Sequence, residues 1–226
     1  MLNTNHSQYI HQAFNGQAID LPLGKVVCVG RNYLMHIHEL NNAVPDKPLL
    51  FIKPSTSLVA LAEPIEIPQD LGECHNEIEL AILISQTLIK ASEQQVEQAI
   101  WGYGLALDLT LRDVQDSLKR QGHPWERAKA FDGSCPLSPF VLKAQIKDHQ
   151  NVNFALKVNG QVRQQGNTQD MLVGINALLS EISQTFTLLP GDIVLTGTPK
   201  GVGPLYTKDQ LEIELHGQFS ITTEVK

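Results

Sequence analysis

The chain has 226 residues, 42% of them hydrophobic and 18% charged, a globular composition that excludes a disordered protein. Its formal net charge of −7 leaves no footprint for nucleic acid or an anionic membrane, and no apolar run reaches the roughly 18–20 residues of a membrane span. Its three cysteines, Cys28, Cys74 and Cys135, lie far apart without a CxxC pair, which points to reduced thiols in a cytoplasmic protein rather than disulfides or a zinc ribbon.

Met1 to His6 are neither basic nor apolar, so no secretory leader is expected. Asn15-Gly16 can turn a short hairpin. Lys25 to Gly30 reads as a buried strand, and Tyr33 to Leu40 as a short helix ended before Pro45 and Pro48. On that helix His36 and Glu39 fall at i and i+3, where they are either an ordinary surface pair or a base oriented by a carboxylate. Leu49 to Lys53 is a second buried strand, closed by Pro54.

His75 to Ile84 is the most informative stretch. Side chains alternate along a strand, so Ile78, Leu80, Ile82 and Ile84 form one apolar face, while the other runs Glu77, Glu79, Ala81, Leu83. Both faces are expected to be buried. Two carboxylates roughly 6–7 Å apart on one face repel by on the order of 2–3 kcal/mol at an effective dielectric near 20. A proton, a basic side chain or a hard divalent cation has to offset that repulsion.

Ala91 to Ile100 predicts a polar amphipathic helix. Gly102 to Leu109 predicts a strand with Asp108 near its end, and Thr110 to Asp113 a capping-box variant opening a helix to about Arg120. A long loop marked by Gly122, Pro124 and Gly133 carries Lys129. Val152 to Val158, Asn159-Gly160 and Gln161 to Arg163 read as a hairpin. Asp170 to Phe186 predicts an amphipathic helix with Leu172, Ile175, Leu178, Leu179 and Ile182 on its core stripe. Ile193 to Thr196 is a strand leading into a Gly-rich loop, Gly197 to Pro204, which lacks phosphate-loop spacing but allows close backbone approach to a ligand; Lys200 in it can meet an anion. Two strands, Gln210 to Leu215 and Phe219 to Val225, end the chain. No linker or repeat appears, which favours one domain.

Together these pieces resemble the fumarylacetoacetate hydrolase family, in its short single-domain branch of acylpyruvate hydrolases and oxaloacetate decarboxylases. The resemblance rests on Val29-Gly30-Arg31-Asn32-Tyr33, His75-x-Glu77-x-Glu79, Leu107-Asp108-x-Thr110-x-Arg112-Asp113-x-Gln115, Lys129-Ala130-Phe131-Asp132 and Thr196-Gly197-Thr198-Pro199-x-Gly201-Val202-Gly203. It implies an α+β fold, a mixed, strand-rich β-roll with few helices, in which residues 1–24 are a short extension and 25–226 a single catalytic domain. It implies a homodimer. It implies that Glu77, Glu79 and Asp108 bind Mg²⁺ or Mn²⁺, that His36, Glu39 and Lys129 are catalytic, and that Arg112, Gln115 and Thr198 hold a small 2-oxo acid substrate. Lys53 sits in a matching Lys-Pro-Ser stretch and is given no role.

The activity the resemblance puts first is metal-dependent C–C hydrolysis of acylpyruvates to pyruvate and a carboxylic acid through a metal-stabilised enolate, with oxaloacetate decarboxylation beside it. Oxaloacetate tautomerisation, and decarboxylation or isomerisation of a longer 2-oxo-dicarboxylate from aromatic breakdown, are the enzyme alternatives. Basic groups beyond C4 would favour a distal carboxylate and apolar ones a short acyl chain. An inactive metal-binding scaffold is the non-enzyme alternative. The short extension argues against fumarylacetoacetate as the main substrate, and the motif set occurs once, which excludes a fused two-step enzyme.

Overall fold

The computed structural model describes residues 9–226; the leader expectation, drawn from Met1 to His6, lies outside the described residues. In chain order the strands are β1 (Val26–Gly30), β2 (Leu49–Lys53), β3 (Leu58–Ala60), β4 (Cys74–Asn76), β5 (Ile78–Ile84), β6 (Ile100–Leu107), β7 (Thr110–Leu111), β8 (Cys135–Leu137), β9 (Val141–Leu142), β10 (Asn153–Val158), β11 (Gln161–Asn167), β12 (Ile193–Leu195), β13 (Gly203–Pro204), β14 (Gln210–Leu215) and β15 (Phe219–Glu224). The helices are α1 (Leu34–Glu39), α2 (Glu93–Ala99), α3 (Arg112–Gln121), α4 (Glu126–Lys129) and α5 (Ile175–Thr185).

The largest sheet runs β2-β1-β12-β5-β6-β8-β3, with β9 on β6. Its β1–β12 and β3–β8 pairs are parallel and the others antiparallel. A second sheet runs β11-β10-β14-β15, and a small one runs β13-β4-β7. This is the mixed, strand-rich α+β roll expected.

The centre of the fold is β5, buried along its whole length. Ile78, Leu80, Ile82 and Ile84 face a large core shared with Val27, Leu105, Val194 and the α5 stripe of Ile175, Leu178, Leu179 and Ile182. Ala81 and Leu83 face a second, smaller core with Val26, Cys28, Ala106, Leu137 and Phe140. Each fully buried Ile or Leu contributes roughly 1.5–3 kcal/mol, enough to hold β5 in register although its first turn of sequence is acidic.

The strand is not continuous from His75. It breaks at Glu77, between β4 and β5, and the break is bridged by a side chain. Gln164 on β11 accepts hydrogen bonds from Asn76 Nδ2 (2.8 Å) and the Ile78 N–H (2.9 Å).

Three other expectations are corrected. α5 begins at Ile175, not Asp170, and Leu172 is exposed rather than on the stripe. Asn32 is the reason: its backbone C=O accepts from Leu172 N–H (2.8 Å), and its side chain pairs with both backbone groups of Val173 (2.9 and 3.1 Å). The Leu172 and Val173 backbone is therefore satisfied by Asn32 outside a helix, Asp170 closes a separate 3-10 turn, and tertiary contacts override local helix preference. Thr110 does not cap α3. It lies in β7 and its hydroxyl donates to the Asp108 carbonyl (3.0 Å), while Leu111 precedes the helix. The long loop around Lys129 contains α4, whose turn closes when the Ala128 and Lys129 N–H groups donate to the Trp125 carbonyl (2.8 and 3.0 Å). At Asn15-Gly16 the expected turn forms: Gln12 and Ala18 pair across it and Gly16 has φ +84°. No helix among the described residues is long and apolar enough to cross a membrane.

Candidate active site

The β5–β6 register builds an acidic cluster. Ile78 opposes Leu107 and Glu79 opposes Ala106; one step on, the Asp108 N–H donates to the Glu77 carbonyl (2.8 Å). Asp108 thus faces Glu77 across the pair, and alternation puts Glu77, Glu79 and Asp108 on the same face. All three are buried, and one ligand atom from each lies within 4.8 Å of the others.

Three cations meet this cluster. Lys129 Nζ donates to Glu77 Oε2 and Asp108 Oδ2, both at 2.7 Å. Arg112 donates through Nη2 to Glu77 Oε1 and through Nη1 to Gln115 Oε1 (2.7 Å). Lys53, which has no exposed surface, lies 2.9 Å from Asp108 Oδ1 and donates to the Lys129 and Ser134 carbonyls.

The carboxylates share these charges unequally. Burial raises the Glu77 pKa, but Lys129 and Arg112 outweigh it and hold Glu77 well below the usual carboxylate range. Among the described residues, Glu79 touches no cation. Burial first, then the Asp108 and Glu77 carboxylates, push it well above that range, and its one partner is the Gly197 N–H at 2.6 Å. Asp108 Oδ1 has no hydrogen-bond partner, because the nearby Lys53 ammonium is out of hydrogen-bond alignment. Three convergent buried carboxylates, one starved of positive charge and one with an unpartnered oxygen, fit a hard divalent cation.

Lys129 is buried, not the solvated loop residue that its sequence neighbourhood suggests. Burial opposes its charge, yet Asp108 and Glu77 more than offset that and raise its pKa above the usual lysine value.

α1 places His36 against the cluster. Burial pushes the imidazole below its ordinary pKa, against the pull of the Glu77 and Glu39 carboxylates. Its Nδ1 is 3.5 Å from Glu39 Oε2 and makes no hydrogen bond. Glu39 is held instead by the Gly201 N–H, which donates to both carboxylate oxygens (2.9 and 3.2 Å). Thr198 Oγ1 donates to the Ile78 carbonyl (2.8 Å) and accepts from Gln164 Nε2 (2.8 Å), so its hydroxyl proton is already committed. Every expected site residue except Glu39 lines one cavity of about 40 Å³.

Gly197 is required where it stands. Its φ is +97°, and a Cβ there would lie 2.8 Å from Asn32 Cβ. Gly197→Ala is therefore expected to lower stability by about 2–3 kcal/mol and to displace the N–H that holds Glu79. An unchanged urea midpoint would count against this role.

The sequence reading passed over Arg31, Lys119 and Gln164 and gave Lys53 no role. Arg31 and Lys119 line the cavity. Only Arg31 and Lys53 carried a signal, each inside a stretch that had been singled out.

Comparisons with known proteins place the chain among its relatives. The family model described as fumarylacetoacetate (FAA) hydrolase C-terminal matches residues 25–226. The oxaloacetate tautomerase YcgM of Escherichia coli (strain K12) is 54% identical over 218 residues, spanning 96% of this chain and 99% of the relative. The mitochondrial oxaloacetate tautomerase FAHD1 of Homo sapiens is 44% identical over 201 residues, spanning 89% and 91%. Among solved structures, the fumarylpyruvate hydrolase of Pseudomonas aeruginosa in complex with Mn²⁺ and pyruvate superposes with a TM-score of 0.90 at 30% identity, covering 100% of this chain and 98% of the other. The relatives' names favour the tautomerase alternative over the acylpyruvate hydrolysis that the sequence reading put first. The chain belongs to the fumarylacetoacetate hydrolase family.

Proposed function

We propose that this protein is a divalent-metal-dependent tautomerase that interconverts the enol and keto forms of oxaloacetate. The observation that carries the reading is the meeting of His36, Lys129 and the carboxylate triad in one small cavity, in a chain so similar to proteins named oxaloacetate tautomerase.

Glu77, Glu79 and Asp108 would hold Mg²⁺ or Mn²⁺. When bound, that ion supplies Lewis-acid polarisation of the 2-oxo group. The chain's own groups do the rest. His36, kept neutral by burial, takes the proton of the enol hydroxyl and returns one to C3, so the sum is an isomerisation. Lys129, kept charged by its carboxylates, donates toward the oxygen on which negative charge grows. Arg112 and Gln115 orient the 1-carboxylate, and Thr198 joins them once its hydroxyl turns from Ile78. Tautomerisation needs no attacking water.

A second reading, acylpyruvate hydrolysis, is supported by the likeness to the Pseudomonas aeruginosa hydrolase. The test follows the ultraviolet absorbance of enol-oxaloacetate beside pyruvate release from acetylpyruvate, each with Mg²⁺, Mn²⁺ or EDTA. Accelerated enol decay that EDTA abolishes and metal restores, with slower pyruvate release, is the expected result. Fast pyruvate release without enol decay would put hydrolysis first.

His36→Gln is expected to lower kcat about 10²–10⁴-fold. In the wild type, kcat/KM should rise with pH as His36 loses its proton, through a pKa below the ordinary 6.5, and be level by neutrality. The depressed value also means that the unfolded chain binds this proton more readily. The His36 contribution to stability is therefore complete above about pH 6.5 and is lost as pH falls below it. A profile still rising above pH 8 would assign the proton transfer to another group.

A further inference from the structure

We propose that Arg31 and Lys119 together receive the distal carboxylate of a short oxo-dicarboxylate, and so set the preference for oxaloacetate-like acids over monocarboxylic 2-oxo acids. The inference rests on the 2-oxo acid reading of the site but assigns a subsite that the reading does not use.

The cavity wall carries four cationic side chains: Arg31, Arg112, Lys119 and Lys129. Two are spoken for, Arg112 by Glu77 and Gln115, and Lys129 by Glu77 and Asp108. Arg31 donates to neutral oxygens alone, Asn42 Oδ1 (2.9 Å) and the Ala43 carbonyl (3.3 Å), and has no carboxylate within salt-bridge distance among the described residues. Lys119 has only Asp116, one turn away at 3.8 Å and itself half exposed. Burial, then repulsion from Arg112 and Arg31, pushes the Lys119 pKa below its usual value. These are two cations near enough to repel, without a full counter-ion, at a concave surface, and such a surface attracts an anion.

The placement follows from the fold. Arg112, Gln115 and Lys119 lie at i, i+3 and i+7 of α3 and all line the cavity, as residues on one helix face do. At 1.5 Å rise per residue, Lys119 starts roughly 10 Å further along the axis than Arg112, so the row runs outward from the triad. Arg31 enters from the β1–α1 turn with φ +61°, a conformation uncommon for a residue other than glycine. Asn32 pins that turn through a bond to the Thr196 carbonyl (2.9 Å). Trp125 walls the same space, with Lys119 Nζ 5.7 Å from its ring centre. A four-carbon acid held at its 2-oxo end by the triad would present its second carboxylate to this pair.

The test compares oxaloacetate with 2-oxobutyrate, which keeps the 2-oxo acid end and replaces the distal carboxylate by a methyl group. Binding to the Mn²⁺-loaded full chain is read from tryptophan fluorescence, with Trp125 in the cavity wall as reporter. Wild type should favour oxaloacetate by about tenfold or more. Lys119→Met and the double variant with Arg31→Met should bring that ratio toward one, leave 2-oxobutyrate binding within about twofold, and recover the preference in Lys119→Arg. Lys119→Met carries the result alone if the strained turn does not tolerate a change at Arg31. Equal weakening of both acids, or a preference that survives in Lys119→Met and the double variant, overturns the assignment. A wild type that shows the preference yet does not speed enol decay overturns the tautomerase reading and leaves the subsite standing.

Discussion

Asp108→Asn is expected to lower metal-dependent kcat/KM by on the order of 10³-fold. Asp108 is the one member of the triad that directly follows β6, and it faces Glu77 across the strand pair. An amide keeps the shape but not the charge, and it turns an N–H₂ group toward Lys129 or Lys53, both of which are donors. Two readouts separate the consequences. Mn²⁺ affinity, followed by calorimetry, should fall together with turnover, because a carboxylate ligand is gone. The metal-free protein should also unfold more easily, because two buried ammonium groups, 2.7 and 2.9 Å from the carboxylate, lose their counter-ion. Turnover within tenfold of wild type, with Mn²⁺ affinity unchanged, would remove Asp108 from the ligand set.

The second large effect is at a residue outside the reacting cavity. Lys53 is wholly buried, and its ammonium donates to the carbonyls of Leu109 (3.4 Å) and Ser134 (3.1 Å), to the Ser134 hydroxyl (3.1 Å) and to the Lys129 carbonyl. It ties together the end of β2, the chain just after Asp108 and the end of α4. Lys53→Met preserves length and removes charge and donors. Breaking one partner of a buried ion pair costs about 3–5 kcal/mol. In a protein of this size that is a fall of about 10 °C in melting temperature. The loss should appear in urea unfolding with EDTA present, which isolates it from any change in metal binding. A midpoint unchanged by Lys53→Met would mean that Asp108 and the three carbonyls are satisfied without this ammonium.

Much of this was legible in the chain because some signals are local. The alternation over His75 to Ile84 belongs to ten consecutive residues, and it foretold two buried faces and a pair of glutamates needing positive charge. The α5 stripe from Ile175 to Ile182 was legible for the same reason. The beginning of α5 was not, because it is decided by Asn32, which lies far off in sequence and takes both backbone groups of Val173 as its partners. α4 is a single turn of four residues, too short to leave a periodicity. Lys53 and the Arg31–Lys119 pair draw their meaning from partners on separate segments, so the motifs that hold Arg31 and Lys53 mark their positions and not their roles. The choice between tautomerase and hydrolase was illegible for a chemical reason: both need the same triad and the same 2-oxo acid end. The names of the relatives weigh the choice toward the tautomerase.

The triad and its surround have different architectural origins. Glu77, Glu79 and Asp108 are fixed by the register of a strand pair sealed between two cores. Arg31, His36, Lys119 and Thr198 come from a turn, a six-residue helix, the outer turn of another helix and a Gly-rich loop, each with its own anchors. Over evolutionary time these two sets can diverge independently. A point substitution in the surround leaves the acidic triad in place, whereas a slip of one residue between β5 and β6 would turn the acidic groups to the opposite face. If the triad does hold the metal, the frame ties that chemistry to a strand register and leaves its surround to separately anchored segments.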